Sequence, residues 1–209
     1  MHDHPGAPSW PRTLKLKLRR GFKKEAKELA LEVRQELGTA VFAPLDPYAL
    51  AKLYGIKVVD LTQPGLPAES VRYLTELRPH VFSGALIPLD PSGTVILENH
   101  VHHPKRRRAT VAHEMAHVLL EHPFEMTLAD EHGCRSAVSE IEAEATELSG
   151  ELMIPADAAR IAAFKGWSDQ SVANHFRVSV PLARWRMNVT GARRIACRWR
   201  ANAGHAVAR

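Results

Sequence analysis

One short stretch restricts this chain more than any other: His113-Glu114-Met115-Ala116-His117, inside a run from Arg108 to Leu120 that otherwise has almost no polar residues. On a helix, two histidines four apart lie on one face, one turn from each other. At that spacing two imidazole nitrogens can grip one Zn²⁺, and Glu114 falls where it can take a proton from water activated by the metal. Val111, Met115, Val118 and Leu119 cover the opposite face, so the helix is apolar nearly all round and is expected to be buried. Two imidazoles and a carboxylate on a buried helix cost free energy unless they are paired, hydrogen-bonded or metal-bound. The alternative is a chance match whose histidines are satisfied by hydrogen bonds in a core.

A catalytic zinc usually takes three protein ligands and leaves one position for water, so a third ligand must come from elsewhere. A His-x-x-Gly-x-x-His continuation is absent: Pro123 stands six past His117, and His122 is out of step. The next acidic helix is the better source. Ser139-Glu140-Ile141-Glu142 has the form of a capping box and opens a run that ends before Pro155. Ile141, Ala145, Leu148 and Leu152 form its apolar stripe. At about 100° per residue, Glu144 lies roughly 60° from the stripe centre, with Glu151 a close rival at about 80°. Glu140, Glu142 and Glu147 fall further out.

These residues carry a resemblance. Arg106-x-Arg108-Ala-Thr110-Val-Ala112-His113-Glu114-x-x-His117-x-Leu119-Leu120 resembles the segment leading into and through the zinc helix of the ImmA/IrrE-type metallopeptidases. Glu144-Ala145 followed by Leu152-Met153-Ile154-Pro155 resembles that family's Glu-Ala-Asn…Leu-Leu-Met-Pro signature with the spacing kept. The departures are Ala109 for an aromatic, Ala116 for Gly, Thr146 for Asn and Leu148 for Phe; none touches a metal ligand. The resemblance covers roughly residues 23–190 and implies zinc held by His113, His117 and Glu144, with Glu114 as the catalytic base. It also implies a narrow endopeptidase that cleaves a partner transcriptional repressor, releasing stress-response or mobile-element genes.

Punctuation organises the rest. Residues 1–20 read as a disordered basic leader, 21–158 as a zincin-like metallopeptidase domain, 159–192 as a helical subdomain and 193–209 as a basic tail. Glu25 to Leu37 is an amphipathic helix closed by Gly38, and Asp46-Pro47 opens a second that runs to Tyr54. Residues 56–61, 81–89 and 94–98 look like strands, the last two separated by a turn at 90–93. The fold class expected is therefore α+β: a small sheet against two metal-bearing helices, plus a C-terminal helix-turn-helix-like part. The last strand before the zinc helix reads equally as an edge able to receive substrate as an added strand or as a strand in plain structural pairing.

Residues 168–186 have the helix-turn-helix rhythm, with Val178-Ser179 as the turn and Arg184 and Arg186 carried outward. DNA contact is one reading of that pattern; a two-helix buttress is the other. A net charge of +5 and an isoelectric point near 9.4 permit nucleic acid without requiring it. No apolar run approaches the roughly 18 residues of a bilayer span. Two cysteines, Cys134 and Cys197, make no disulfide framework, so a reducing cytoplasm is the expected setting. Cys134 is read as a buried thiol or a redox-sensitive one.

In the reaction these residues imply, Glu114 passes the water's proton to the leaving amine. His122, His132, His100 and Tyr73 are candidates for steadying the oxyanion. Two imidazoles and a carboxylate also accept Mn²⁺, Fe²⁺ or Co²⁺. The competing reading is a DNA-binding regulator whose metal is structural or sensory.

Overall fold

A computed structural model describes residues 18–89, 93–123 and 135–207. In chain order these form helix α1 (Phe22–Glu36), helix α2 (Pro47–Leu53), strand β1 (Lys57–Asp60) and the short helix α3 (Ala68–Arg72). A π-helical turn (Tyr73–Leu77) and a 3-10 turn (Pro79–Val81) lead into strands β2 (Gly84–Leu89) and β3 (Gly93–Glu98). Helices α4 (Pro104–Leu119), α5 (Arg135–Met153), α6 (Ala156–Phe164), α7 (Asp169–His175), α8 (Val180–Val189) and α9 (Ala192–Val207) complete the chain. The class is α+β, mostly helical with a three-stranded mixed sheet. Among the described residues no helix is long and apolar enough to cross a membrane.

The chain divides into two compact units, the first comprising residues 1–23 and 46–149. Its sheet has the order β1-β3-β2. Strand β1 runs parallel to β3, with Lys57 opposite Val95 and Asp60 opposite Glu98. Strand β2 runs antiparallel to β3, with Gly84 opposite Glu98 and Leu89 opposite Gly93. The last strand before the histidine helix is therefore central, which corrects the reading of it as an edge. Alternating hydrophobicity marks a strand but carries no information about which neighbour it pairs with. Among the described strands the edges are β1 and β2, and Pro88 suits an edge because proline cannot donate to a ladder.

Helix α4 packs on α2, β2 and β3, burying Val111, Ala112, Met115 and Ala116. Pro104 occupies its first turn, and His103 caps it by accepting from the Lys105 N–H at 3.2 Å. Gly84 sets how closely the edge strand lies against the helix: a Cβ there would stand 2.5 Å from Thr110 Cγ2 and 3.1 Å from the Leu97 carbonyl oxygen. Glu98, at the end of β3, is buried and accepts from Arg107 and from the Tyr48 hydroxyl at 2.9 Å. Burial and the charge of Glu98 push the Tyr48 hydroxyl up to about 12. The start of α4 is thereby fastened to the sheet and to α2. Asn99 fastens the irregular segment before β2, donating to the carbonyls of Leu74 at 2.8 Å and Phe82 at 3.2 Å.

The second unit comprises residues 24–45 and 150–209. Ala26, Ala30 and Val33 bury the expected face of α1, and Gly38 ends the helix at φ +62°. Arg34 is buried among carbonyls, donating to Leu152 at 2.6 Å, Ala40 at 2.9 Å and also Ala43; burial lowers its pKa to about 10. Alanines 158, 159, 162 and 163 let α6 pack closely against α9. The sequence around 193–209 reads as a basic tail, yet it is helical through Val207, with Ala192 and Ala196 turned into the unit.

Ser168 caps α7 by accepting from the Ser171 N–H at 3.1 Å, and Ser179 caps α8 by accepting from the Leu182 N–H at 3.3 Å. The basic residues between them do not behave as the charge pattern suggests. Arg186 is fully buried, paired with Glu151 and donating through Nε to the Ile154 carbonyl at 2.9 Å. Arg184 Nε donates to Asp169 at 2.9 Å, and Arg193 pairs with the same carboxylate. The expectation that Arg186 points outward is corrected: on a helix with one buried face, Leu182, Ala183, Arg186 and Met187 share that face.

Candidate metal centre

One turn of α4 brings the two histidine side chains together. His113 Nε2 and His117 Nε2 lie 3.2 Å apart, with the rings edge to face. Glu142 of α5 closes the triangle: its Oε2 is 3.2 Å from His113 Nε2 and its Oε1 is 3.5 Å from His117 Nε2. A tetrahedral ion with bonds of about 2.1 Å holds its donors about 3.4 Å apart. The two contacts of Glu142 come from different carboxylate oxygens, but one donor atom from each of the three side chains lies within 4.8 Å of the others, close enough to share an ion, and the donor chemistry, two imidazoles and a carboxylate, suits zinc. Among the described residues His113, His117 and Glu142 are the group of ligating atoms close enough to hold a metal.

The charges of the cluster act on one another. Burial, and then the neighbouring charge on His113, hold His117 down to about 4, so its imidazole is neutral at neutral pH and able to bind metal. Burial opposes charge on His113 as well, but the hydrogen bond to Glu142 and the charges of Glu114 and Glu142 outweigh it and raise its pKa. The hydrogen bond to His113 keeps the Glu142 carboxyl below the usual range despite burial.

Glu114 sits on the sheet side of α4. Burial, with the nearby charge of Glu142, raises its pKa; His113 and the backbone N–H of Leu86, which donates to it, pull the other way. Leu86 belongs to the edge strand β2, so the carboxylate is anchored to the strand that borders the site.

Sequence reasoning chose Glu144 as the third ligand, and the structure turns it elsewhere. Glu144 Oε1 accepts from Arg19 Nε at 2.8 Å, while its Oε2 is 3.6 Å from His122 Nε2. Two features explain the difference. Helix α5 begins at Arg135, so Ser139 lies within it, and Glu142 is not the reciprocal partner of a capping box. In addition, the helix is buried on several faces: Ala143, Glu147 and Ser149 are buried alongside Ala145 and Leu148. An apolar stripe locates the centre of a buried face but not which of its flanks meets the histidines, and Glu142 and Glu144 lie on opposite flanks. Glu151, the rival candidate, is bound to Arg186 and to the Ala156 N–H at 2.9 Å.

Of the four oxyanion candidates, His122 faces His117 and Glu144 instead, and His132 lies outside the described residues, as does Cys134. His100 and Tyr73 are not among the groups whose charges and hydrogen bonds act on His113, His117 or Glu142.

No curated protein matches the chain at significant similarity. The family described as Peptidase_M78, IrrE N-terminal-like domain, matches residues 70–188, a span that contains α4, its two histidines and all of α5. By that match over more than half its length, the chain belongs to the Peptidase_M78 family.

Proposed function

We propose that this protein is a zinc-dependent endopeptidase in which His113, His117 and Glu142 hold the metal and Glu114 is the catalytic base. The observation that carries the reading is the convergence of His113, His117 and Glu142, with one donor atom from each within 4.8 Å of the others, beside the buried Glu114 carboxylate. A bound Zn²⁺ supplies Lewis acidity, lowering the pKa of water toward about 7 and polarising a peptide carbonyl.

The chain's own groups do the rest. Glu114 accepts a proton from the attacking water and returns it to the leaving amine; the Leu86 N–H keeps its carboxylate in place between the two transfers. Strand β2, an edge in the order β1-β3-β2, offers an outward row of backbone groups beside α4 to an extended substrate segment. On this reading the first unit is a zincin-like core, and the helices α7 and α8 form a helix-turn-helix-like element.

The substrate class follows from the family resemblance: a helix-turn-helix transcriptional repressor, cleaved in stress response or mobile-element control. The two cysteines favour a cytoplasmic setting. The alternative of a DNA-binding regulator with a structural metal has less support. Among the described residues three donors converge, where a structural site usually has four. Arg186 and Arg184 of α8 are engaged within their own unit.

A panel of helix-turn-helix repressors, incubated with the purified protein and examined by mass spectrometry, tests the activity. Cleavage of one member at a fixed bond, stopped by 1,10-phenanthroline and restored by added Zn²⁺, is the expected outcome. Cleavage indifferent to the chelator would contradict a metal mechanism.

A further inference from the structure

His122 stands behind the metal centre rather than in it. Its Nδ1 lies 3.0 Å from His117 Nδ1, and the two rings meet edge to face at 5.0 Å between centroids. Its side chain is 8% exposed, and its buried Nε2 faces Glu144 Oε2 at 3.6 Å, with no closer hydrogen-bond partner among the described residues. Glu144 is in turn held by Arg19 at 2.8 Å. The chain of contacts therefore runs from His117 through His122 and Glu144 to Arg19.

Tautomer chemistry gives that chain one direction. His117 presents Nε2 to His113 and Glu142, so a metal bound there leaves the proton of the neutral ring on Nδ1. Two ring nitrogens 3.0 Å apart form a hydrogen bond only if one carries a proton and the other a lone pair. His117 Nδ1–H is then the donor and His122 Nδ1 the acceptor, which puts the proton of neutral His122 on Nε2, facing the Glu144 carboxylate. We propose that His122 is a positioning residue for the metal centre: it accepts from His117 Nδ1–H, fixes the ring that binds metal, and is itself held by Glu144.

The inference rests on the metal reading above and gives Glu144 a role: the carboxylate orients a histidine that orients a ligand. Partners of this kind typically change metal affinity about 10–100-fold. It also explains why His122 is out of step with any ligand spacing.

The experiment is competition titration of Zn²⁺ against a chromophoric chelator, using the full chain. His122→Leu, which keeps bulk but offers no acceptor, is expected to weaken Zn²⁺ binding about 10–100-fold. His122→Asn, whose side-chain oxygen can accept at the Nδ1 position, is expected to recover most of that loss. Thermal melting of the metal-free proteins shows whether the variants still fold. Equal affinity for wild type, Leu and Asn variants would overturn the positioning role while leaving the metal site standing. A wild type that binds no Zn²⁺ would sink both.

Long-range ¹H–¹⁵N spectra of zinc-loaded wild type serve if His122→Leu does not fold. The proposal requires His117 protonated at Nδ1 and His122 at Nε2. A proton on His122 Nδ1 would overturn it.

Discussion

Glu114→Gln is expected to lower peptide hydrolysis by roughly 10²–10⁴-fold, the usual contribution of a general base, while metal content stays at the wild-type level. Glutamine matches glutamate in size and can still accept from the Leu86 N–H, so the packing of α4 against β2 should survive. What it cannot do is take a proton. Nor is Glu114 one of the three groups placed to hold a metal, which are His113, His117 and Glu142. The comparison with His117→Ala makes the division of roles visible, because that change removes an imidazole from the triangle and should remove the metal and the activity together. Activity is read on whichever repressor the wild type cuts, and metal by elemental analysis of the same preparations. If Glu114→Gln lost its metal as completely as His117→Ala, the carboxylate would be a ligand and its role as base would fall.

The second large effect concerns stability. Glu151→Ala should destabilise the unit that contains it by about 3–5 kcal/mol, the range found when one partner of a buried ion pair is removed. Arg186 is fully buried and Glu151 is 4% exposed, so the guanidinium left behind would lose this carboxylate without gaining water in its place. The change also removes the carboxylate that accepts from the Ala156 N–H at the start of α6. Replacing both partners with apolar residues, Glu151→Leu with Arg186→Met, should cost markedly less than the single change, since no charge is stranded. Urea denaturation of the three proteins decides the matter. A single variant within about 1 kcal/mol of wild type would show that Arg186 reaches water or another anion, and the buried pair would lose its importance.

What could be read from the sequence was whatever depends on local spacing. His113 and His117 were legible because four residues on a helix fix their relation whatever the tertiary context, and Glu114 came with them. The faces of α1 and the caps at Asp46, Ser168 and Ser179 were legible for the same reason. Relations between elements were not. The order β1-β3-β2 depends on pairing choices that alternating residues do not encode, so the edge reading of the central strand stayed open.

Glu142 is not legible from spacing because it falls further from the centre of the apolar stripe than Glu144, while the helix is buried on more sides than that stripe suggests. The two glutamates flank the stripe on opposite sides at similar angles from its centre, so the stripe alone does not say which flank meets the histidines. Arg186 misled in a different way: a basic residue in a basic segment reads as solvated until its buried counter-charge, 35 positions earlier at Glu151, is seen beside it. Between α2 and β2, the α3, π and 3-10 pieces have no periodic signal, and side chains from beyond β3, Asn99 and His102, bind the carbonyls of the π and 3-10 turns and of Phe82.

The central claim is that one metal ion sits between His113, His117 and Glu142, and elemental analysis of three proteins prepared without chelator tests it most directly. Wild type should carry close to one equivalent of zinc or a similar divalent ion, Glu144→Ala should keep most of it, and Glu142→Ala should lose it. Retention of the metal by Glu142→Ala together with its loss from Glu144→Ala would return the third ligand to Glu144, and a wild type without metal would leave His113 and His117 as hydrogen-bonded core histidines.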